Sequence, residues 1–170
     1  MAYFLHCSHA IIETIEMLPQ IMFSILNFAA GKGLAEASAD SSAKQLARRA
    51  GVRGETYAYW YLRREGYVVI ARNFTMPGIK GELDIVAYDG PVLAFVEVKT
   101  RAKAEPGQPT PEDAINLEKR RNLARMARQF LRARRLDNTP WRFDVLAIET
   151  TAGKRPIVRL HKSAFSEHKS

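Results

Sequence analysis

The stretch GELDIVAYDGPVLAFVEVKTR, residues 81–101, decides the fold of this chain. Two runs rich in β-branched and aromatic residues, 81–88 and 91–100, flank Asp89-Gly90. Such a dipeptide between two apolar runs predicts a two-residue β-hairpin turn. Because both strands are strongly apolar, we expect the hairpin to lie in the core, where charged side chains are rare unless they are paired or functional.

Four charged side chains share one face of this hairpin. With the two turn residues assigned in this way, Asp84 and Glu97 become diagonal neighbours, about 7–8 Å apart at the backbone. Side chains alternate between the two faces along a strand, so the same face also carries Glu82 and Lys99. The acids gather at the open end of the hairpin, and their relative placement depends on the register.

Three acids on one sheet face repel each other, and a hard divalent cation such as Mg²⁺ or Mn²⁺ would compensate their charge. A metal held there can lower the pKa of a bound water and neutralise charge on a phosphodiester. The ammonium of Lys99 could orient the attacking water or stabilise the developing negative charge. The alternative is structural, since a Glu-x-Lys pair also occurs in many strands as a solvated ion pair.

The rest of the chain predicts a mixed α/β protein. The run from Thr110 to Asp113 has a capping hydroxyl, a proline and two acids, a typical helix start. The predicted order is α-β-β-β-α-β-β, with helices at 54–65 and 111–135 and strands at 67–74, 81–88, 91–100, 141–149 and 156–160.

The sequence is basic, with 26 Lys and Arg against 18 Asp and Glu among 170 residues, a formal net charge of +8. Such an excess indicates an anionic partner, most often nucleic acid or a membrane surface. Residues 1–45 carry two basic and four acidic residues, so the remainder has 24 against 14, or +10. The positive charge therefore belongs to the part of the chain behind residue 45.

We expect residues 1–45 to be an extension, loosely ordered or weakly helical, before a domain at 46–165 and a tail at 166–170. The first 31 residues contain no Lys or Arg, whereas a secretory signal begins with a positive region. The apolar run at 21–30 is about half of a membrane span, so we expect no stable membrane insertion. The alternative for the extension is a membrane-surface or partner-docking segment, against which the lack of basic residues counts.

A stripe of arginines marks the second predicted helix. Its members recur at steps of three and four residues and therefore lie along one helix face, opposite the apolar residues that we expect to pack on the sheet. An anionic partner would relieve their mutual repulsion, and the alternative is a solvated basic face. The residues predicted to bind nucleic acid are Arg121, Arg125, Arg128 and Arg132 of this stripe, with Arg101 and Lys103 beside the acids.

Several motifs together resemble a known family, the YraN-like uncharacterised bacterial proteins. These belong to the PD-(D/E)xK nuclease superfamily, which includes archaeal Holliday junction resolvases and restriction endonucleases. The resemblance covers about residues 50–160. The motifs that carry it are, in chain order, Gly54-Glu55, Arg72-Asn73, GELDIVA at 81–87, FVEVKTR at 95–101 and RFDV at 142–145.

The resemblance implies a restriction-endonuclease-like α/β/α core with a central mixed sheet. It further implies that Asp84 and Glu97 are metal ligands and that Lys99 is the catalytic lysine. Glu55 matches the acid that resolvase-like members bring to the metal from the first helix, and Glu82 matches an outer-shell acid. Leu83 stands where the superfamily pattern has its name-giving proline.

Two function classes follow from the sequence. The first is a metal-dependent nuclease that hydrolyses DNA phosphodiester bonds with Mg²⁺ or Mn²⁺. The alternative is a noncatalytic nucleic-acid-binding module on the same scaffold, although a pure binder gains nothing from acids that face an anion. A homodimer would suit paired strand cleavage. The single cysteine, Cys7, excludes an intrachain disulfide and agrees with a cytoplasmic location.

Overall fold

Five strands form one sheet in the computed structural model of the chain, which describes residues 17–30, 43–102, 115–151 and 153–166. The predictions for Lys103, for the helix start at 110–113 and for most of the tail lie outside these residues. Among the described residues, helix α1 covers 17–30, α2 Ala43–Arg64 and α3 Leu117–Arg134, and the strands are β1 Val68–Met76, β2 Ile79–Asp89, β3 Val92–Ala102, β4 Trp141–Thr150 and β5 Ile157–Phe165.

The sheet is mixed, and its strands lie in the order β1-β2-β3-β4-β5. Strands β3 and β4 are parallel and all other neighbours are antiparallel. A parallel pair needs a crossover connection, and α3 lies in the segment that joins β3 to β4. Because α2 packs on one face of the sheet and α3 on the other, the α/β/α prediction is confirmed.

Each face of the sheet has its own apolar core. Phe95 and Phe143 pack against Phe130 on the α3 side, whereas Val96 and Leu146 belong to the cluster on the α2 side. Strand β4 is buried without interruption from Phe143 to Glu149, as expected for a strand that is covered on both faces.

Helix α2 begins eleven residues before the predicted start at 54. A glycine is typical of helix ends, but Gly54 lies inside the helix for a different reason. A Cβ at this position would lie 1.9 Å from Thr100 Oγ1, so the helix approaches β3 too closely for a side chain.

The register of the β2–β3 hairpin differs from the predicted one by two residues. Asp89 pairs with Val92, so the turn residues are Gly90 and Pro91. A φ of +58° at Gly90 followed by the fixed negative φ of proline suits a two-residue turn of the II′ kind. A shift of two keeps every side chain on its face, but it sets Asp84 opposite Glu97 instead of diagonal to it.

A buried ion pair ties the far end of the sheet together. Asp144 is 0% exposed, and Arg142 Nε donates to its Oδ1 at 2.8 Å. The same oxygen, Oδ1, also accepts the Ser163 backbone N–H at 2.9 Å, beside an irregularity in the β4–β5 pairing. Asp144 and Arg142 therefore form a buried salt link that joins β4 to β5.

Helix α1 lies against α2 through one side. Phe23 is buried, and its ring lies 5.0 Å from that of Tyr57, whose hydroxyl donates to Asn27 Oδ1 at 3.0 Å. The other side leaves Ile21 and Ile25 about half exposed. Within the described part of the chain, no helix combines the length and the apolar character needed to cross a membrane.

Candidate active site

Glu97 lies near the middle of β3, and its side chain is only 2% exposed. Its Oε1 accepts two ammonium groups, Lys99 Nζ at 2.9 Å and Lys119 Nζ in a close ion pair. Its Oε2 is buried and has no hydrogen-bond donor among the described residues. One oxygen of this carboxylate is therefore doubly neutralised, while the other is desolvated and unpaired.

Asp84 lies on β2 next to Glu97 and is also buried. Its Oδ2 accepts the backbone N–H of Val98 at 2.7 Å, so the side chain takes the place of a strand carbonyl just beyond the last residue pair of the hairpin, Ile85 and Val96. Burial first, and then the negative charge of Glu97, raise the pKa of Asp84 to about 7. The Val98 N–H and Lys119 oppose that rise but do not cancel it.

These two carboxylates fit a hard divalent cation. Glu97 Oε2 lacks a donor among the described residues, and both carboxylates are buried side by side. Mg²⁺ keeps several of its waters and is commonly bound through one or two carboxylates, so the pair is sufficient in number. Within the described ranges, no three His, Cys, Asp or Glu side chains converge as a metal-binding group.

The other two predicted acids lie around this pair. Glu55 is on α2 directly after Gly54, and its charge makes the smallest of the contributions that raise the pKa of Asp84. The structure does not join it to Asp84 and Glu97 in a group of three, so its role as a ligand stays a prediction. Glu82 is exposed on β2 and lines an adjacent cleft.

The cleft, of about 310 Å³, lies between the start of β2 and the start of α3. Its floor is apolar and is formed by Leu123 and Met126, and its rim is polar. Lys119 connects the cleft to the acids, because its side chain lines the cleft and its ammonium contacts Glu97. The rim residues are Lys80, Glu82, Asn116, Glu118, Lys119 and Asn122.

Sequence reasoning missed Lys119 because it singled out only the arginines of this helix. The N-cap in the described part is Asn116, whose side chain accepts the backbone N–H of Lys119 at 2.9 Å. Lys119, Leu123 and Met126 are spaced i, i+4 and i+7, so they share the sheet-facing side of the helix. A lysine in register with the apolar positions of the helix is the signal that could have found it.

The predicted nucleic-acid-binding residues fall into two groups. Arg101 is half-buried, and its guanidinium donates to Glu149 Oε1 at 2.8 Å, where Arg159 also binds at 3.0 Å. The two guanidinium groups, Arg159 first, lower the pKa of Glu149. The arginines of the α3 stripe are all exposed, and they are Arg121, Arg125, Arg128 and Arg132.

The stripe faces away from the acids. Successive residues of a helix turn by about 100°, so Arg121 lies about 200° around α3 from Lys119. Lys119 contacts Glu97 in the sheet, and the stripe therefore lies on the outer side of the helix, about a helix diameter of 10 Å further out.

The fold and the residues at its centre define a class of protein. A mixed sheet between helices, with an Asp and a Glu-x-Lys on adjacent central strands, is compatible with a restriction-endonuclease-like core. The chain belongs to the uncharacterised protein family UPF0102, whose family model matches residues 54–148. This is the YraN-like family of the PD-(D/E)xK group that the motifs predicted.

Relatives of this family cover most of the chain. A UPF0102 protein of Koribacter versatilis is 44% identical over 117 residues, which are 69% of this chain and 79% of the relative. One of Symbiobacterium thermophilum is 42% identical over 71% of this chain and 98% of its own length. One of Alkaliphilus metalliredigens is 36% identical over 71% and 100%. The aligned segment of 120 residues of this chain therefore spans almost the whole length of the last two relatives.

Proposed function

We propose that this chain is a divalent-metal-dependent nuclease that hydrolyses DNA phosphodiester bonds. The observation that carries the proposal is the buried carboxylate of Glu97, which lies beside Asp84 and keeps one oxygen without a donor in the described part of the chain. A buried unpaired oxygen is costly, and residues retained at such cost are typical of functional sites.

Asp84 and Glu97 would hold the cation through Asp84 Oδ1 and Glu97 Oε2. A bound Mg²⁺ would lower the pKa of a water and neutralise charge on the phosphodiester. Lys99 is 28% exposed and is anchored on Glu97 Oε1, so its ammonium is held at the edge of the site. There it can orient the water or stabilise the negative charge that develops at the phosphorus.

Glu82 and Glu55 would act from the periphery of the same site. Glu82 is exposed on the rim of the cleft, and Glu55 acts on Asp84 from the opposite layer. The +10 charge of residues 46–170 would attract the DNA backbone and raise its rate of association. A homodimer would place two such sites on the two strands of one DNA.

The test is a cleavage assay with Mg²⁺, Mn²⁺ or EDTA on branched, duplex and single-stranded DNA. We expect cleavage by the wild type to require the metal. Glu97→Gln, Asp84→Asn and Lys99→Met should each lower the rate about 100-fold or more, because each removes a group that acts on the reacting phosphate. Glu65→Gln, an acid-to-amide change just after α2, is the matched control and should cleave normally.

The second candidate is a noncatalytic nucleic-acid-binding module. Two observations favour it: only two carboxylates converge in the described residues, and both ammonium groups already neutralise Glu97. DNA binding without cleavage under either metal would select this candidate. Cleavage that persists at the wild-type rate in both Glu97→Gln and Asp84→Asn would instead contradict the site assignment.

A further inference from the structure

We propose that Lys119 is a further residue of the site and couples the binding of the divalent cation to the binding of a DNA phosphate. The inference rests on the proposed function only in that the Asp84–Glu97 pair holds a cation. Its basis is the pair of ammonium groups on a single oxygen, Glu97 Oε1.

The charges at the site oppose the binding of a dication. When both carboxyls are ionised, Asp84 and Glu97 carry two negative charges, and Lys99 and Lys119 carry two positive ones. A dication on the same carboxylates would leave the group with an excess of two positive charges within a few ångströms. Cation binding is therefore opposed by the ammonium groups unless one of them leaves or an anion arrives.

The two lysines that bind Glu97 Oε1 are held differently. Lys99 is on β3 itself, two residues from Glu97, and its side chain is 28% exposed. Lys119 comes from α3 and is 41% exposed, so its side chain has more room to move into solvent than that of Lys99. Lys119 is thus the ammonium that can leave Glu97 while its backbone stays in place.

The ammonium of Lys119 can move into the adjacent cleft. Its side chain lines the cleft, whose rim carries Lys80 and the amides of Asn116 and Asn122 beside the carboxylates of Glu82 and Glu118. The ammonium and the two amides supply donors to an anion, whereas Glu97 supplies only an acceptor. A DNA phosphate in the cleft would take the Lys119 ammonium from Glu97 and so free that carboxylate for the cation.

The consequence is thermodynamic coupling. DNA should tighten cation binding, and the cation should tighten DNA binding by the same factor, because linkage between two sites is reciprocal. Removal of Lys119 should have two effects at once. It should tighten cation binding in the absence of DNA, and it should abolish the effect of DNA on that binding.

The experiment measures Ca²⁺ affinity by calorimetry with and without a 20-nucleotide single strand, using Ca²⁺ as a hard cation that takes the same oxygen ligands. Signal that is lost in Glu97→Gln is taken as binding at the site. For the wild type we expect DNA to tighten Ca²⁺ binding about 5-fold to 20-fold. Anisotropy of the labelled strand with and without Ca²⁺ should give the same factor.

Lys119→Met should bind Ca²⁺ about 5-fold or more tighter than the wild type without DNA, with a DNA effect below about 2-fold. Lys119→Arg keeps the charge and should restore the wild-type affinity and most of the coupling. Lys154→Met removes one charge from the β4–β5 connection and should behave as the wild type. Thermal melting should show that all three variants are folded, since Lys119 is largely at the surface.

Unchanged Ca²⁺ affinity in Lys119→Met, or a DNA effect that persists in it, would overturn the inference, and so would a wild type without Ca²⁺ binding at the site. The outcome is separable from that of the proposed function. Metal-dependent cleavage together with unchanged Ca²⁺ affinity in Lys119→Met would leave the nuclease standing and remove Lys119. Coupling between Ca²⁺ and DNA binding without any cleavage would support the role of Lys119 and contradict the proposed nuclease activity.

Discussion

At the scale of single residues, Asp84 is the group whose protonation state is most sensitive to its surroundings. Burial and the neighbouring Glu97 raise its pKa from 3.8 to about 7. The folded protein therefore binds this proton more tightly than the unfolded chain. Stability from this group is present at low pH and is lost as the pH rises through about 4 to 7, because the carboxyl must then ionise in the folded state.

Asp84→Asn tests this sign. The amide oxygen can still accept the Val98 N–H, but the side chain no longer titrates. We expect the free energy of unfolding of the variant, relative to the wild type, to rise by about 4 kcal/mol between pH 4 and pH 8. Urea unfolding at the two pH values in EDTA measures it. A difference between variant and wild type that is constant with pH would contradict the prediction.

At the scale of secondary-structure elements, the contact between α2 and β3 positions the acid of the first helix. Gly54 lets the helix approach Thr100, and Glu55 follows it directly, so this close approach sets how near Glu55 comes to the acid pair. The same contact explains why the helix continues through a residue that usually ends helices. Packing here outweighs the helix propensity of glycine, which is about 1 kcal/mol worse than alanine.

Gly54→Ala should therefore destabilise the protein, although the same change inside an exposed helix stabilises it. The added Cβ would overlap Thr100 Oγ1, and we expect a loss of about 1–3 kcal/mol in the free energy of unfolding. Combining it with Thr100→Ala should recover part of that loss, since the overlapping oxygen is gone. Denaturant unfolding of the four proteins of this cycle measures the coupling, and additive effects would refute steric contact as the cause.

At the scale of the whole molecule, α3 separates two basic surfaces. Lys119 is on its inner side with the acids, and the arginine stripe is on its outer side, facing solvent. A DNA backbone that contacts the stripe is therefore about one helix diameter away from the acids.

Arg121→Ala combined with Arg125→Ala tests the stripe. We expect DNA binding to weaken to a similar extent for all sequences, and the slope of log K against log salt to fall by about 2 for duplex DNA. The double variant Lys154→Ala with Arg155→Ala removes the same charge from the β4–β5 connection and is the control. If the slope is unchanged, or falls equally in the control, the stripe is a solvated face and not a contact surface.

Much of the architecture was predictable because it depends on local patterns. Apolar runs of β-branched residues specify strands, and the resemblance of the motifs to a known family implied the mixed sheet. The errors fell where tertiary contact overrides local preference. Gly54 is inside a helix because of Thr100, and Asp89 ends a strand because Arg142 and Lys162 bind its carboxylate.

The sequence by itself determined the alternation of helices and strands, the basic character of the chain and the presence of Asp84, Glu97 and Lys99 on one hairpin. These follow from side-chain period and charge, which are properties of neighbours along the chain. Only the tertiary structure decided that Asp84 lies opposite Glu97, that Lys119 joins them and that the arginine stripe points away. Those relations depend on the register of the strands and on how α3 lies across the sheet, because distant segments meet only after packing.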